Sequence, residues 1–167
     1  AIIPRVKKLL SFFRENSLPV FHIITLHKPD KSDWTLIDKK LNRAYCIENT
    51  KGAEIIEELK PIEGEEIIVK RRYSGFYKTK LEDKLREKGI NILVICGISA
   101  DGCVRATAID AFNRDFVVVI PQDCVESRDK ESYRESIKYF KKSIGYVMPM
   151  DELMNLIKNK KIYELDC

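Results

Sequence analysis

The segment VICGISADGCVRATAIDAF (94–112) carries an apolar run into a helical pattern through a short turn with a glycine at each end. It sets Cys103 in the first turn of that helix. In an open parallel sheet, ligands bind beyond the carboxyl ends of the strands, which is where such a turn lies. A thiol there meets backbone N–H groups without an intrahelical partner and the positive end of the helix dipole, and both stabilise negative charge on sulfur. Cys103 is therefore a candidate nucleophile. The same N–H groups, with those of the turn at Ile98 and Ser99, are placed to cradle an oxyanion. The competing reading is a packing residue, since free cysteine is among the most buried residue types and usually behaves as a small hydrophobe. Position alone leaves both readings open.

Lys70 ends the apolar run IIVK (67–70) and so belongs at the same sheet edge, where an ammonium could hold a thiolate or a developing oxyanion. Taken alone, the favoured reading of such a residue is a solvated lysine at a strand end. Of the two histidines, His27 follows the run VFHIITL (20–26) at the ligand-binding edge and is the better placed for a pocket. Two histidines without a matching carboxylate cluster do not make a metal site. Trp34 and Tyr45 lie in a long polar stretch, either as cover for a ligand or as local packing anchors. Cys46, Cys96 and Cys124 read as packing or turn residues and Cys167 as a frayed terminus. Five irregularly spaced cysteines with no C-x-x-C pair exclude a disulfide framework and a zinc or redox motif.

Positioning these groups falls to alternating helices and strands. Apolar periodicity switches between the two patterns along the chain, the signal of a βα architecture with a largely parallel sheet. Residues 3–16 predict an amphipathic helix, with Val6, Leu9, Leu10 and Phe13 on one stripe and Pro4 in the tolerant first turn. Further helices are expected at 52–60, 77–89, 100–115, 130–144 and 150–159, and strands at 20–26, 67–70, 91–97, 116–121 and 146–148. Residues 28–50 read as a surface excursion, and long excursions after a strand are often functional. The predicted fold class is α/β, a three-layer doubly wound sheet, mainly parallel. Such domains usually open on a strand, whereas this pattern opens on a helix. The expectation is a single domain over 1–167 that lacks a native N-terminal strand.

The chain has 167 residues, 44% apolar and 34% charged, enough for one core and too few to argue for two. No window approaches the roughly 20 apolar residues of a membrane span, and the first residues lack the order of a secretory signal. A soluble, cytoplasmic protein with no membrane partner is expected. Thirty Lys and Arg against 26 Asp and Glu give a net charge of +4, with the signs interleaved as in KLEDKLREK (80–88). Only KRRYSGFYKTK (70–80) clusters basic and aromatic residues, so no nucleic-acid partner is predicted.

Residues 67–128 resemble the isochorismatase-like cysteine hydrolases, the superfamily of nicotinamidase, N-carbamoylsarcosine amidohydrolase and ureidoacrylate amidohydrolase. The resemblance rests on Lys70 followed by YSGF (73–76) and T-x-L (79–81), on the turn GISADGCV (97–104) and on DCVESR (123–128), and it extends over nearly the whole chain. It implies a Rossmann-like doubly wound sheet and a catalytic Asp, Lys and Cys, with Lys70 and Cys103 as the last two. It also implies a cis peptide at Ile98-Ser99 and an oxyanion hole built from the N–H groups of Ser99 and Cys103. His27, Tyr45 and Tyr73 fall to the substrate pocket. The family aspartate ends a first strand that has no counterpart here, and Asp33 and Asp38 do not match it. At the metal positions of the nicotinamidase branch stand Thr25, His27 and Tyr45, so no bound metal is expected, and no organic cofactor is implied. The implied activity is hydrolysis of a small non-peptide amide or carbamoyl C–N bond through a thioester or thiocarbamate, in a homo-oligomer. The alternative is a catalytically silent member that binds a small ligand or serves as a scaffold. Vinyl-ether hydrolysis ranks third, because it does not use the cysteine.

Overall fold

The structure, a computed structural model, describes residues 2–165, so the expectation for Cys167 lies outside the described residues. The strands are β1 (Phe21–Thr25), β2 (Glu66–Lys70), β3 (Ile92–Val94), β4 (Gly97–Ile98), β5 (Val117–Pro121), β6 (Val125–Glu126) and β7 (Tyr146–Met148). The helices are α1 (Ile3–Glu15), α2 (Leu36–Leu41), α3 (Leu81–Glu87), α4 (Cys103–Phe112), α5 (Lys130–Ser143) and α6 (Met150–Lys158).

Every strand pair is parallel. β1 pairs with β2, β5 lies between β3 and β7, and β4 pairs with β6. Along β5 the side chains alternate between two cores, as a pleated strand buried on both faces requires. Val118 and Ile120 pack with Leu81, Leu85, Ala108, Ala111 and Phe140 from α3, α4 and α5. Val119 packs with Leu9, Met150 and Leu153 from α1 and α6. Two helical layers therefore sandwich the sheet, as predicted. Ala108 and Ala111 are fully buried, and their small side chains let α4 approach the sheet closely. Gly145 makes a still closer approach: a Cβ there would stand 2.2 Å from the Val118 carbonyl oxygen.

The β1–β2 and β3–β5–β7 ladders are not hydrogen-bonded to each other. They nevertheless share a core, since Ile23 of β1 and Leu93 of β3 pack against the same buried cluster. Among the described residues, β1 has no strand partner on the side away from β2 and β3 none on the side away from β5.

Several expectations are corrected. The helix expected at 52–60 is two 3-10 turns, Lys51–Ala53 and Glu57–Leu59, with Glu54 and Ile56 extended between them. The paired β-branched Ile55 and Ile56 and the proline after Lys60 both disfavour a continuous helix. The helix expected at 77–89 begins only at Leu81, because Lys78 is left-handed (φ 54°) and the Thr79 hydroxyl donates to the Gly75 carbonyl. The strand expected at 91–97 breaks before Gly97, whose φ of 120° turns the chain from β3 into β4. Residues 28–50 contain α2, whose N-cap Thr35 accepts from the Asp38 amide at 3.1 Å. In α1, Val6 and Phe13 of the expected stripe pack half-buried against the core beside the buried Leu9, and Phe12, outside that stripe, is buried as well.

Candidate active site

Thr25 and Lys70 end β1 and β2 as register partners, so their side chains leave the same face of the ladder. Cys103 opens α4 after the β4 turn, and the three converge. Lys70 Nζ donates to Thr25 Oγ1 at 2.6 Å, to the Arg72 carbonyl at 2.9 Å and to Cys103 Sγ at 3.2 Å. Lys70 is only 4% exposed, which corrects the reading of a solvated strand-end lysine. Of these three partners only the sulfur can carry a charge, so the ammonium meets negative charge that develops there.

The other described thiols stand apart chemically. Burial raises the Cys46 thiol, lifts Cys96 to about 11, and with neighbouring Cys96 and Asp123 pushes Cys124 up to about 12. Cys103 is half-buried, opening a helix whose cap residue Gly102 offers no side-chain acceptor, so the Cys103 N–H keeps no intrahelical partner. The Ile98-Ser99 peptide is cis. The Ser99 hydroxyl donates to Asp101, whose carboxyl it holds below the usual range, so what Ser99 has left for a ligand is its backbone. The Ser99 carbonyl accepts from Gly102 and Val104 N–H groups at 3.0 and 3.1 Å, fixing the turn against the start of α4.

Tyr45 and Tyr73 line an open cavity of about 530 Å³ with Thr35, Asp38, Arg72 and Tyr77. Cys103 and Lys70 are not in its lining, and Arg72 links them to the cavity, lining it while its carbonyl accepts from Lys70 Nζ. His27 lies outside this lining. It is 3% exposed and meets Tyr45 in a T-shaped contact, ring centroids 4.9 Å apart. Its Nδ1 is buried without a hydrogen-bond partner, 3.8 Å from Asp33 Oδ1, and burial lowers its pKa. Thr25, His27 and Tyr45 do not fit a metal: Thr25 accepts from Lys70, the Tyr45 hydroxyl donates to Asp38 at 3.2 Å, and no other His, Cys, Asp or Glu completes a cluster among the described residues.

Sequence reasoning named Thr25 only at a metal position and Asp38 only as no match to the family aspartate, and it missed the part each plays in this region. Thr25 could have been found as the strand-end residue opposite Lys70. Asp38 is 5% exposed, accepts from the Thr35 hydroxyl at 2.5 Å and pairs with Arg43 at 3.2 Å; the Thr35 hydroxyl hydrogen bond depresses its pKa most. The capping pattern T-L-I-D was its signal.

The isochorismatase domain family matches residues 1–152. The uncharacterized isochorismatase family protein YddQ of Bacillus subtilis is 34% identical over 116 residues, 70% of this chain and 58% of that protein, so the match spans little more than half of that relative. The crystal structure of an isochorismatase family protein from Desulfovibrio vulgaris superposes with a TM-score of 0.88 at 30% identity, covering 94% of this chain and 84% of the other. N-carbamoylsarcosine amidase from Thermoplasma acidophilum superposes with a TM-score of 0.79, also at 30% identity, covering 90% and 83%. With its parallel sheet, its cysteine at the mouth of α4 and a domain match over most of its length, this chain belongs to the isochorismatase family.

Proposed function

We propose that the protein is a cysteine-dependent hydrolase of a small non-peptide amide or carbamoyl C–N bond. The observation that carries this reading is the buried Lys70 ammonium 3.2 Å from Cys103 Sγ, at the start of a helix. The sulfur attacks the carbonyl carbon, and the oxyanion is held by the N–H groups of Ser99 and Cys103. Lys70 meets the charge on sulfur, Thr25 and the Arg72 carbonyl fix the ammonium, and the cavity of Tyr45 and Tyr73 takes the rest of the substrate. The proton leaves on ammonia or an amine, and water then hydrolyses the thioester or thiocarbamate.

The thiol proton requires a general base, and no carboxylate is a hydrogen-bond partner of Lys70 Nζ or Cys103 Sγ among the described residues. An extended apolar segment that ends in Asp fits the edges of β1 and β3, which have no strand partner among the described residues and along which the apolar Ile23, Ile24, Leu93 and Val94 are only half-buried.

Ammonia release from a panel of small primary amides and carbamoyl compounds tests the reading, with the chain alone and with an added apolar heptapeptide ending in Asp. Turnover is expected with the peptide and not with its Asp→Asn form, and Cys103→Ala lowers kcat/KM by at least about 10³-fold. Turnover that survives Cys103→Ala overturns the mechanism. An alkylatable Cys103 with no turnover under any condition favours the silent, ligand-binding alternative, which the absence of a carboxylate among the hydrogen-bond partners of Lys70 Nζ motivates.

A further inference from the structure

The outer face of α5 carries a groove of about 590 Å³, remote from Cys103. Tyr133 and Ile137 line it as half-buried apolar groups, and Arg134, Lys138, Lys141 and Lys142 rim it. The spacing 134, 138, 141, 142 is the i, i+4, i+7, i+8 pattern that puts all four cations on one helix face. None of them makes an ion pair among the described residues, although twelve such pairs occur elsewhere. Four unpaired cations along an apolar floor repel one another unless something acidic covers them.

The chain carries the complementary surface. Residues 54–66, EIIEELKPIEGEE, hold six glutamates and one lysine. Glu65 and Glu66 are engaged by Arg14 and Lys84, and Glu57 by Lys60. Glu54, Glu58 and Glu63 are exposed and make no ion pair among the described residues, and between them Ile56 and Ile62 are 42% and 52% exposed. This patch is the groove's inverse: exposed apolar groups among unpaired anions. It cannot fill the groove of its own molecule, because it lies beside α1 whereas α5 belongs to the opposite helical layer.

We propose that the α5 groove docks the 54–66 patch of a second copy of this chain, a head-to-tail contact in which Ile56 or Ile62 meets Tyr133 and Ile137 inside a ring of Glu–Lys and Glu–Arg pairs. The two surfaces differ, so the interface is heterologous, and an open assembly leaves one groove free at one end and one patch free at the other unless it closes into a ring.

Charge reversal on each surface tests it, using Lys138→Glu/Lys142→Glu in one chain and Glu58→Lys/Glu63→Lys in another. None of the four residues touches the catalytic groups, and circular dichroism checks that each variant folds. In sedimentation velocity, wild-type chain is expected to associate with rising concentration and to do so at least about tenfold more weakly when salt is raised from about 0.05 to 0.5 M, since surface pairs are screened. Each variant alone is expected to stay monomeric. Mixed one to one they re-associate, because every acidic surface then meets a basic one. Wild-type chain that stays monomeric throughout overturns the proposal. So does association that survives either double variant, which places the interface elsewhere, and so does a mixture that fails to re-associate.

Discussion

Glu65 ties the end of α1 to the turn before β2, and neutralising it tests whether this clamp holds the α1 layer on the sheet. Its oxygens accept from Arg14 Nε at 2.8 Å and Nη2 at 2.9 Å, face His22 Nε2 at 2.7 Å, and accept from the Ile62 amide at 3.0 Å, with a side chain only 8% exposed. The Arg14 hydrogen bond is the largest cause, and together these contacts pull the Glu65 carboxyl from 4.5 down to about 2. A depression of that size corresponds to about 3 kcal/mol at about 1.4 kcal/mol per pH unit, an upper bound for a clamp near the surface. The folded-state value lies below the unfolded one, so the stabilisation is complete above about pH 4.5 and disappears as pH falls towards 2. Glu65→Gln keeps the shape and one acceptor but removes the charge, and it is expected to cost about 2 kcal/mol at pH 7. Urea denaturation of both proteins at pH 7, 5, 4 and 3 reads the difference, which shrinks steadily below pH 4.5. A difference of the same size at pH 7 and pH 3, or a variant within about 0.5 kcal/mol of wild type at pH 7, refutes the reasoning.

Other outcomes follow from the same geometry. Gly145→Ala forces a Cβ against a backbone carbonyl that cannot move aside, and thermal denaturation should register a loss of about 3 kcal/mol or more. Leu153→Ala empties a fully buried position between α6 and β5 and should cost about 2–5 kcal/mol in chemical denaturation. Thr25→Val removes an acceptor from the buried Lys70 ammonium, and equilibrium unfolding should show a cost of about 1–3 kcal/mol that Thr25→Ser restores. Lys70→Met should lower kcat on any substrate found by the amide panel while leaving KM within about threefold, because the ammonium meets charge that develops during reaction.

The parts of the fold that were legible from sequence are those where periodicity and punctuation agree. α5 fits its expected range within a residue, with Asp129 accepting from the Ser132 amide as its cap, and β5 fits its run of buried β-branched residues. Expectation failed where tertiary contacts and single backbone angles decide: the left-handed Lys78 delays α3, and Gly97 divides one apolar run between two ladders. In the site, Cys103 was legible because a strand, a turn and a helix lie consecutively in sequence. Lys70 was ambiguous because a strand-end lysine reads alike whether solvated or buried. Only the contacts of β2 with β1 and α4 decide that, and they join residues 45 and 33 positions apart. The hydrogen bond of Thr25 to Lys70 escaped notice for the same reason, since only the pairing of β1 with β2 sets the two residues opposite each other.

The free edges of β1 and β3 also distribute stability unevenly across the sheet. β5 is paired on both sides and carries the residues with almost no exposure, whereas β1 and β3 each leave a row of backbone groups without a ladder partner among the described residues. Amide hydrogens along those two edges should exchange with solvent well before those of β5, marking the seam at which the molecule opens. The same rows are templates for pairing with any extended chain, so at high concentration the seam, rather than a surface loop, is where aggregation should nucleate.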